Sequence, residues 1–258
     1  MSDFSFNGTS ASSLQLCVER IPRIIEPKKR VRTYSVSGRN GNLTQWDGSY
    51  EDIVVRYECW FRPAPGGLNP IGYRTVQDLA KQITDWLMLA PHGSRLEDTY
   101  DPGFFRRATF VGPLDIENIF SRYGRVTIEF QCAPQRFLVD GDRRLSVTST
   151  DWLLVSNPTR YPSKPLFEVT TNGNLGGVIR VDDYSLNLFF GQLTEPTTVY
   201  IDTELVEAWY VDANGQKISC NHVVSSPNFP QLDPGAHKIT WSGLGIDSVA
   251  VIPRWWRL

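Results

Sequence analysis

The sequence predicts a mainly β protein of two domains with a single helix. Along Ile53–Phe61 the side chains alternate with period two, and one face of the stretch is fully apolar, as in a half-buried strand. One stretch, Val76–Leu87, repeats its apolar residues at helical spacing. From Leu166 onward, short alternating runs are separated by turn signals such as Asn214-Gly215. The second half is therefore predicted to be an antiparallel β-sandwich.

The glycine-rich segment "GRNG" at 38–41 is predicted to be a hairpin turn. A phosphate cradle needs backbone amides that open into a helix N-terminus, but here Leu43, Trp46 and then a strand follow. The local order is therefore strand, turn, strand, with Asp47-Gly48 as a short turn before the long alternating run. A second hairpin is expected around Ser121–Gly124.

The stretch "YRTVQDLAKQITDWLML" is predicted to be an amphipathic helix. Thr75, followed three residues later by Asp78, resembles a capping box. Pro91 and Gly93 are expected to end the helix. The apolar stripe consists of Val76, Leu79, Ala80, Ile83, Trp86 and Leu87.

The predicted domain boundary follows residue 140. Residues 1–140 then form the N-terminal domain and residues 141–258 the C-terminal domain. The segment "SNPTRYPSKP" places three prolines between Asn157 and Pro165, and we expect it to join two separately folding units.

Composition and charge exclude several classes of protein. The 258 residues carry a formal net charge of -2, which argues against a general nucleic-acid binder. The four cysteines lie far apart and match no zinc or redox motif, and Cys59 is expected to be an inert core thiol. No apolar run approaches the roughly 20 residues that span a bilayer, and the first residues lack a secretory signal. We expect a soluble protein made in a reducing cytoplasm, without membrane insertion.

Signals of catalysis or metal binding are sparse, so no enzyme, cofactor or metal is predicted. The three histidines near turn-like segments are His92, His222 and His237. They form no i, i+4 pair and no H-E-x-x-H motif. Asp182 and Asp183 are expected in a turn, since adjacent strand residues point to opposite faces. Asp202 and Glu204 share one face if their segment is a strand, which leaves a minor acid/base alternative open.

The order of several motifs resembles the distal tail proteins of siphophages. "YSVSGRNGNLTQWDGSYEDIVVRYECWF" is similar to the family's (V/I)-x-G-R-(N/D)-G-x-L turn and the long strand after it. The helix that ends in "WL" and the strand that closes with "EFQCAPQ" follow in the family's order. "NPTRYPSKPLFEVTTNGN", "YIDTELVEAWYVDANGQ" and "FPQLDPGAHKITW" resemble motifs of the family's second domain. The resemblance spans nearly the whole chain.

This resemblance implies a structural component of the phage tail tip, located in the virion and assembled in the host bacterial cytoplasm. Such proteins form a homo-hexameric ring between the major tail tube protein and the tail-associated hub protein, with receptor-binding proteins attached at the rim. The N-terminal domain, a β-sandwich with one helix and a belt-like extension, builds the ring. The C-terminal domain is expected to be a galectin-like or carbohydrate-binding-module-like β-sandwich.

A basic segment precedes the glycine-rich turn. Between Glu19 and Arg39, seven basic residues stand against two acidic ones, which gives five net positive charges. Pro22 and Pro27 make a continuous helix unfavourable. Three interpretations remain open: a solvated strand edge, contact with the DNA that passes through the tail, or an arm on an acidic surface of the neighbouring subunit. We prefer the arm and expect no specific nucleic-acid binding. The ring-interface candidates are Lys28, Lys29, Arg30, Arg32, Arg39 and Asn40.

A competing hypothesis is a module that binds host cell-wall glycan directly. The chain has eight tryptophans, and indole rings serve as stacking platforms for sugars as well as core residues. The glycan-binding candidates are Trp209, Trp241, Trp255 and Trp256. The last three crowd near the end of the sequence, which departs from the family's pattern.

Overall fold

The chain is mainly β and divides into two compact units. The computed structural model describes residues 3–63, 75–119, 123–148, 152–173, 175–191, 193 and 196–258. One unit extends up to Arg136 and the other covers Phe137–Arg257. The break therefore follows Arg136, whereas the sequence placed it after residue 140. The predicted fold class, mainly β with one helix, is confirmed.

The first unit is built on one antiparallel sheet. Its elements are β1 (Phe4–Phe6), β2 (Thr9–Ser10), β3 (Leu16–Val18), β4 (Lys29–Tyr34), β5 (Leu43–Tyr50), β6 (Ile53–Phe61), α1 (Val76–Met88), β7 (Ser94–Asp98), β8 (Phe104–Phe110), β9 (Ile116–Ile119) and β10 (Tyr123–Cys132). The strand order is β2-β1-β7-β8-β10-β6-β3, and β9 pairs with β10. Strands β4 and β5 form a separate two-stranded sheet.

Strands β6 and β10 form the longest pairing of this sheet, and β6 follows the alternation predicted for Ile53–Phe61. They are antiparallel, with Gly124 opposite Phe61 and Cys132 opposite Ile53. In both strands alternate side chains are buried and exposed. The pairing of β9 with β10 agrees with the second hairpin, although its turn at 120–122 lies outside the described residues. Burial raises the pKa of the Cys59 thiol to about 12, which fits an unreactive core residue.

The helix α1 packs its apolar stripe on the buried face of this sheet. Thr75 caps it: the Asp78 amide donates to the Thr75 hydroxyl at 3.1 Å, and that hydroxyl donates to the Asp78 carboxylate at 2.8 Å. The Trp86 indole stacks near Phe4 and donates its N–H to the Phe6 carbonyl at 3.1 Å. The buried residues of the helix are Val76, Leu79, Ile83 and Leu87. The predicted cap and stripe are confirmed.

The second unit is a sandwich of two antiparallel sheets. Its strands are β11 (Arg136–Leu138), which begins at the boundary, β12 (Leu145–Val147), β13 (Leu153–Asn157), β14 (Leu166–Thr171), β15 (Gly176–Val181), β16 (Tyr184–Phe189), β17 (Thr197–Asp202), β18 (Glu207–Val211), β19 (Lys217–Ser219), β20 (Gly235–Ser242), β21 (Ile246–Ile252) and β22 (Trp256–Arg257). One sheet has the order β12-β21-β14-β17-β18-β19 and the other β13-β20-β15-β16. Apolar side chains of both sheets form one core, so the predicted sandwich is confirmed.

The proline-rich segment at 157–165 is part of this sandwich and does not join the two units. Asn157 is buried, and its amide donates to the carbonyls of Tyr161 and Leu232 at 2.9 and 3.0 Å. Ser163 is also buried and exchanges two backbone hydrogen bonds of 2.9 Å with Leu232. The prediction that this segment links the two units was wrong. Its prolines suggested a connection, but tertiary hydrogen bonds hold it inside the second unit.

His237 lies near the start of strand β20, three residues after the bend at Pro234. It is buried, with Nδ1 at 2.7 Å from the Asp182 carboxylate and Nε2 at 2.6 Å from the Asp233 carbonyl. Burial lowers its pKa, but the hydrogen bonds to the Asp233 carbonyl and the Asp182 carboxylate outweigh it, so the pKa is raised. Asp182 and Asp183 form the turn between β15 and β16, as predicted. The interaction ties this turn to β20.

Candidate assembly interface

Residues 19–52 leave the first sheet as an extended arm. At its base the Glu19 amide donates to the Glu58 carbonyl at 2.8 Å, and Arg125 holds the Glu19 carboxylate at 3.0 Å. The returning chain is tied to the outgoing chain by a 2.8 Å hydrogen bond from the Glu51 amide to the Lys28 carbonyl. Between these points no residue of the arm is buried.

The outer part of the arm is the hairpin β4–β5. The two strands are antiparallel, with Arg32 opposite Gln45, and residues 35–42 connect them. Gly38 and Gly41 adopt φ of +78° and +80°, a region that favours glycine. The prediction that "GRNG" forms a hairpin turn is confirmed.

The second predicted turn, Asp47-Gly48, lies inside β5. The pairing shifts from Lys29 opposite Tyr50 to Val31 opposite Trp46, so the longer strand bulges at this point. Gly48 has φ of +89°, which suits the bulge. The sequence signal for a bend was correct, but the bend interrupts a strand and does not end it.

The two faces of the hairpin differ in chemistry. The aromatic face carries Lys29, Val31, Trp46 and Tyr50. The Lys29 ammonium lies 4.5 Å from the Trp46 ring centroid, and the rings of Trp46 and Tyr50 are 5.5 Å apart. The basic face carries Arg30, Arg32, Tyr34, Leu43 and Gln45.

All six ring-interface candidates lie on this arm. Lys28 directly precedes β4, three of the others are in β4, and Arg39 and Asn40 lie in the connecting loop. Their side chains are exposed in the single chain. The structure thus gathers the candidates on one hairpin, while their role in assembly stays a proposal.

The hairpin also exposes apolar surface that it cannot bury by itself. Val31 and Trp46 are 45% and 43% exposed, and Ile24, nearer the base of the arm, is 86% exposed. An isolated two-stranded sheet is only marginally stable in water. Contiguous exposed apolar residues commonly mark an interaction site. The charge of this segment was evident from the sequence, whereas its isoleucines, which stand among prolines and charged residues, gave no periodic signal.

We expect trypsin to cut the arm before any other described part of the native chain. Its sites at 28–39 lie on backbone without buried anchors, whereas Arg160 lies in the segment held by Asn157 and Ser163. Proteolysis needs local unfolding, so a difference in opening free energy of about 1.4 kcal/mol makes cutting in the arm about tenfold faster. Limited digestion followed by mass spectrometry measures the order. Early cleavage at Arg160 or Lys164 would contradict this assignment.

Two of the tryptophan candidates lie in stacked arrangements within the second unit. Tyr200 stacks beside Trp209 with centroids 5.7 Å apart, and the Lys217 ammonium lies 4.0 Å from the same indole. Trp256 stacks on Tyr161 with centroids 4.5 Å apart. Both indoles are half-buried.

The other two tryptophans contribute to the core of the sandwich. Trp241 donates its indole N–H to the Val147 carbonyl at 2.8 Å. Trp255 is only 5% exposed, and a Cβ on the neighbouring Gly141 would lie 2.5 Å from the Trp255 amide nitrogen. Each of the four indoles therefore already has a packing or hydrogen-bonding partner inside the second unit.

The carboxylate pair considered for acid/base chemistry is separated by the end of its strand. Asp202 ends β17, whereas Glu204 lies in the following turn, so the two do not share a strand face. Arg254 binds both Asp202 oxygens at 2.9 Å. Burial raises the pKa of Asp202, but the Arg254 guanidinium outweighs it and holds that pKa below its usual range. This arrangement fits a structural ion pair.

Within the described residues, no group of three or more His, Cys, Asp or Glu side chains is arranged to hold a metal ion. No helix in the described part of the chain is long and apolar enough to cross a membrane.

The fold is that of known phage tail proteins. The chain superimposes on the SPP1 Dit (gp 19.1) protein with a TM-score of 0.64 at 13% sequence identity, covering 100% of both chains. That protein is described as a paradigm of the hub adsorption apparatus in phages that infect Gram-positive bacteria. A chain of the phage P2 baseplate, in its activated conformation with Ca, matches with a TM-score of 0.57 at 7% identity and 97% coverage of both chains. No protein-family model and no curated protein sequence matches this chain. The resemblance inferred from the motifs is confirmed in the fold.

Proposed function

We propose that this chain is a structural, non-enzymatic protein of the phage tail tip that forms a hexameric ring between the tail tube and the host-adsorption apparatus. The likeness to the SPP1 hub protein along the full length of both chains carries the proposal. Similarity over one unit alone would fit many β-sandwich proteins, since one fold serves unrelated functions. Here both units and their order agree.

The arm supplies the contact that a ring requires. A closed ring is built from heterologous contacts, in which one surface of a subunit meets a different surface of the next. The hairpin β4–β5 is a surface of this kind, because it extends from the sheet and exposes both charge and apolar area. In this proposal Lys28, Lys29, Arg30, Arg32, Arg39 and Asn40 lie at the subunit interface.

The ring places the chain among other tail proteins. Its proposed partners are a second copy of itself, the major tail tube protein on one face and the tail-associated hub protein on the other, with receptor-binding proteins at the rim. The proposed location is the tail tip of the virion, after assembly in the host cytoplasm. Direct glycan binding by the second unit has weaker support, because its four candidate indoles already have partners.

The oligomeric state tests this proposal directly. A hexamer of the 29.3 kDa chain has a mass of six times that value, about 176 kDa, which mass photometry separates from the monomer. We expect this species in solution or, where assembly needs partners, six copies per tail tip by electron microscopy. Monomers alone, both in solution and in assembled tails, would refute the ring.

A further inference from the structure

The first unit has an acidic groove beside strands β9 and β10. The groove has a volume of about 380 Å³, and its lining includes Gly112, Asp115, Glu117, Arg125 and Glu129. Arg125 is paired with Glu19, and Glu129 is paired with Arg56. Within the described residues, Asp115 and Glu117 have no ion-pair partner. Three charged residues of the groove are acidic and one, Arg125, is basic. Arg125 lies opposite Glu117 on the neighbouring strand but is bound to Glu19, so the exposed carboxylates of Asp115 and Glu117 leave the groove acidic.

An apolar rim lies next to this groove. Leu89 is 81% exposed, Val111 66% and Met88 54%. A Cβ placed on Gly112, which lines the groove, would lie 3.3 Å from the Met88 Cε, so the rim and the groove are in contact. The two features form one surface, acidic at one end and apolar at the other.

The basic face of the hairpin has the complementary pattern. Arg30 and Arg32 lie at one end of that face, and the facing pair Tyr34 and Leu43 forms its apolar end. Arg30 and Tyr34 are four positions apart in β4, so the charged and apolar ends of this face lie at most about 14 Å from each other.

We propose that the basic face of the hairpin β4–β5 of a second copy docks on this surface. Arg30 and Arg32 face the carboxylates of Asp115 and Glu117, and Tyr34 with Leu43 covers the apolar rim. Guanidinium groups suit this role, because they bind carboxylates in a planar, bidentate geometry. The aromatic face of the hairpin remains available to other parts of the assembly.

A second copy fits this surface better than the chain's own arm. The arm is tied to its own sheet at Glu19, and no arm residue lines the groove of the same chain. This inference rests on the proposed ring, which brings the arm of each copy to the groove of the next. It adds to the ring the identity of the receiving surface, which is the acidic groove at Asp115 and Glu117 with its apolar rim at Met88, Leu89 and Val111.

Disulfide trapping between two copies tests the docking. One tagged copy carries Arg32→Cys and a differently tagged copy carries Glu117→Cys, and both carry Cys17→Ser because Cys17 is partly exposed. The matched control replaces Glu117→Cys by Gln77→Cys, an exposed position at the start of α1, about 16 Å along the helix from Met88. After mild oxidation we expect several-fold more disulfide-linked heterodimer from the Arg32/Glu117 pair than from the Arg32/Gln77 pair.

Combined with the oligomeric state, each outcome is decisive. Trapping in a sample that contains hexamers supports both proposals. Hexamers without trapping above the control refute the docking and leave the ring. Trapping with no hexamer in solution or in tails supports the docking and refutes the ring. Absence of both refutes both proposals.

Discussion

Reversing Lys28, Lys29, Arg30 and Arg32 to glutamate is expected to convert a ring-forming chain into a folded monomer. The four side chains are exposed, so the substitutions leave no charge buried in the monomer. Exposed ion pairs contribute about 0–1 kcal/mol each. Four attractive charges turned repulsive therefore cost about 2–4 kcal/mol per interface, or roughly 30- to 1,000-fold in affinity. Mass photometry measures the loss of the hexamer, and circular dichroism checks the fold.

A matched variant separates the position of these charges from their number. Lys81, Arg143, Arg160 and Lys164 are exposed and lie outside the arm, so reversing them makes the same change in net charge. This control is expected to assemble like the wild type. The wild-type ring should also loosen as salt rises, because ions screen exposed charge pairs. A ring of unchanged stability in the arm variant would favour the interpretation of the basic run as a solvated strand edge.

The sequence predicts those elements whose signal is local. Strand β6 and helix α1 were found because their burial follows a single period over nine or more residues. The hairpin turn was found because glycines mark its positive φ values. The proline-rich segment was mistaken for a connection between the units because the hydrogen bonds that fix residues 157–165 come from Leu232, far along the chain.

The candidate interface was predicted in its charge but not in its geometry. The excess of basic residues between Glu19 and Arg39 is visible in the sequence alone. Which of them share a face depends on the register of β4 and β5 and on the bulge at Gly48. The receiving surface joins the end of α1 to the segment after β8, and no local pattern brings such distant segments together. Pairs such as Asp202 and Arg254 are hidden for the same reason.

Replacing Arg254 by alanine is expected to destabilise the second unit by about 3–5 kcal/mol, because it leaves Asp202 buried without its counter-charge. We propose that the two units fold independently, in which case calorimetry shows two transitions. Only the transition of the second unit should move to lower temperature, with its midpoint falling by roughly 10 °C or more. Ring formation through the first unit should persist below that transition. An equal shift of both transitions would show that the units unfold together.

Two comparisons test whether loss of the Asp202–Arg254 ion pair causes this destabilisation. Arg254 has φ of +59°, so Arg254→Gly loses the pair but relieves a left-handed backbone; it should be about 1–2 kcal/mol more stable than Arg254→Ala. The pKa of Asp202 is lowered in the folded chain, so its contribution is fully present above the unfolded value of about 3.9 and is lost as pH falls through the folded value. The difference in unfolding free energy between wild type and Arg254→Ala should therefore narrow below about pH 4. A difference that stays constant down to pH 2 would assign the effect to lost packing of the Arg254 side chain.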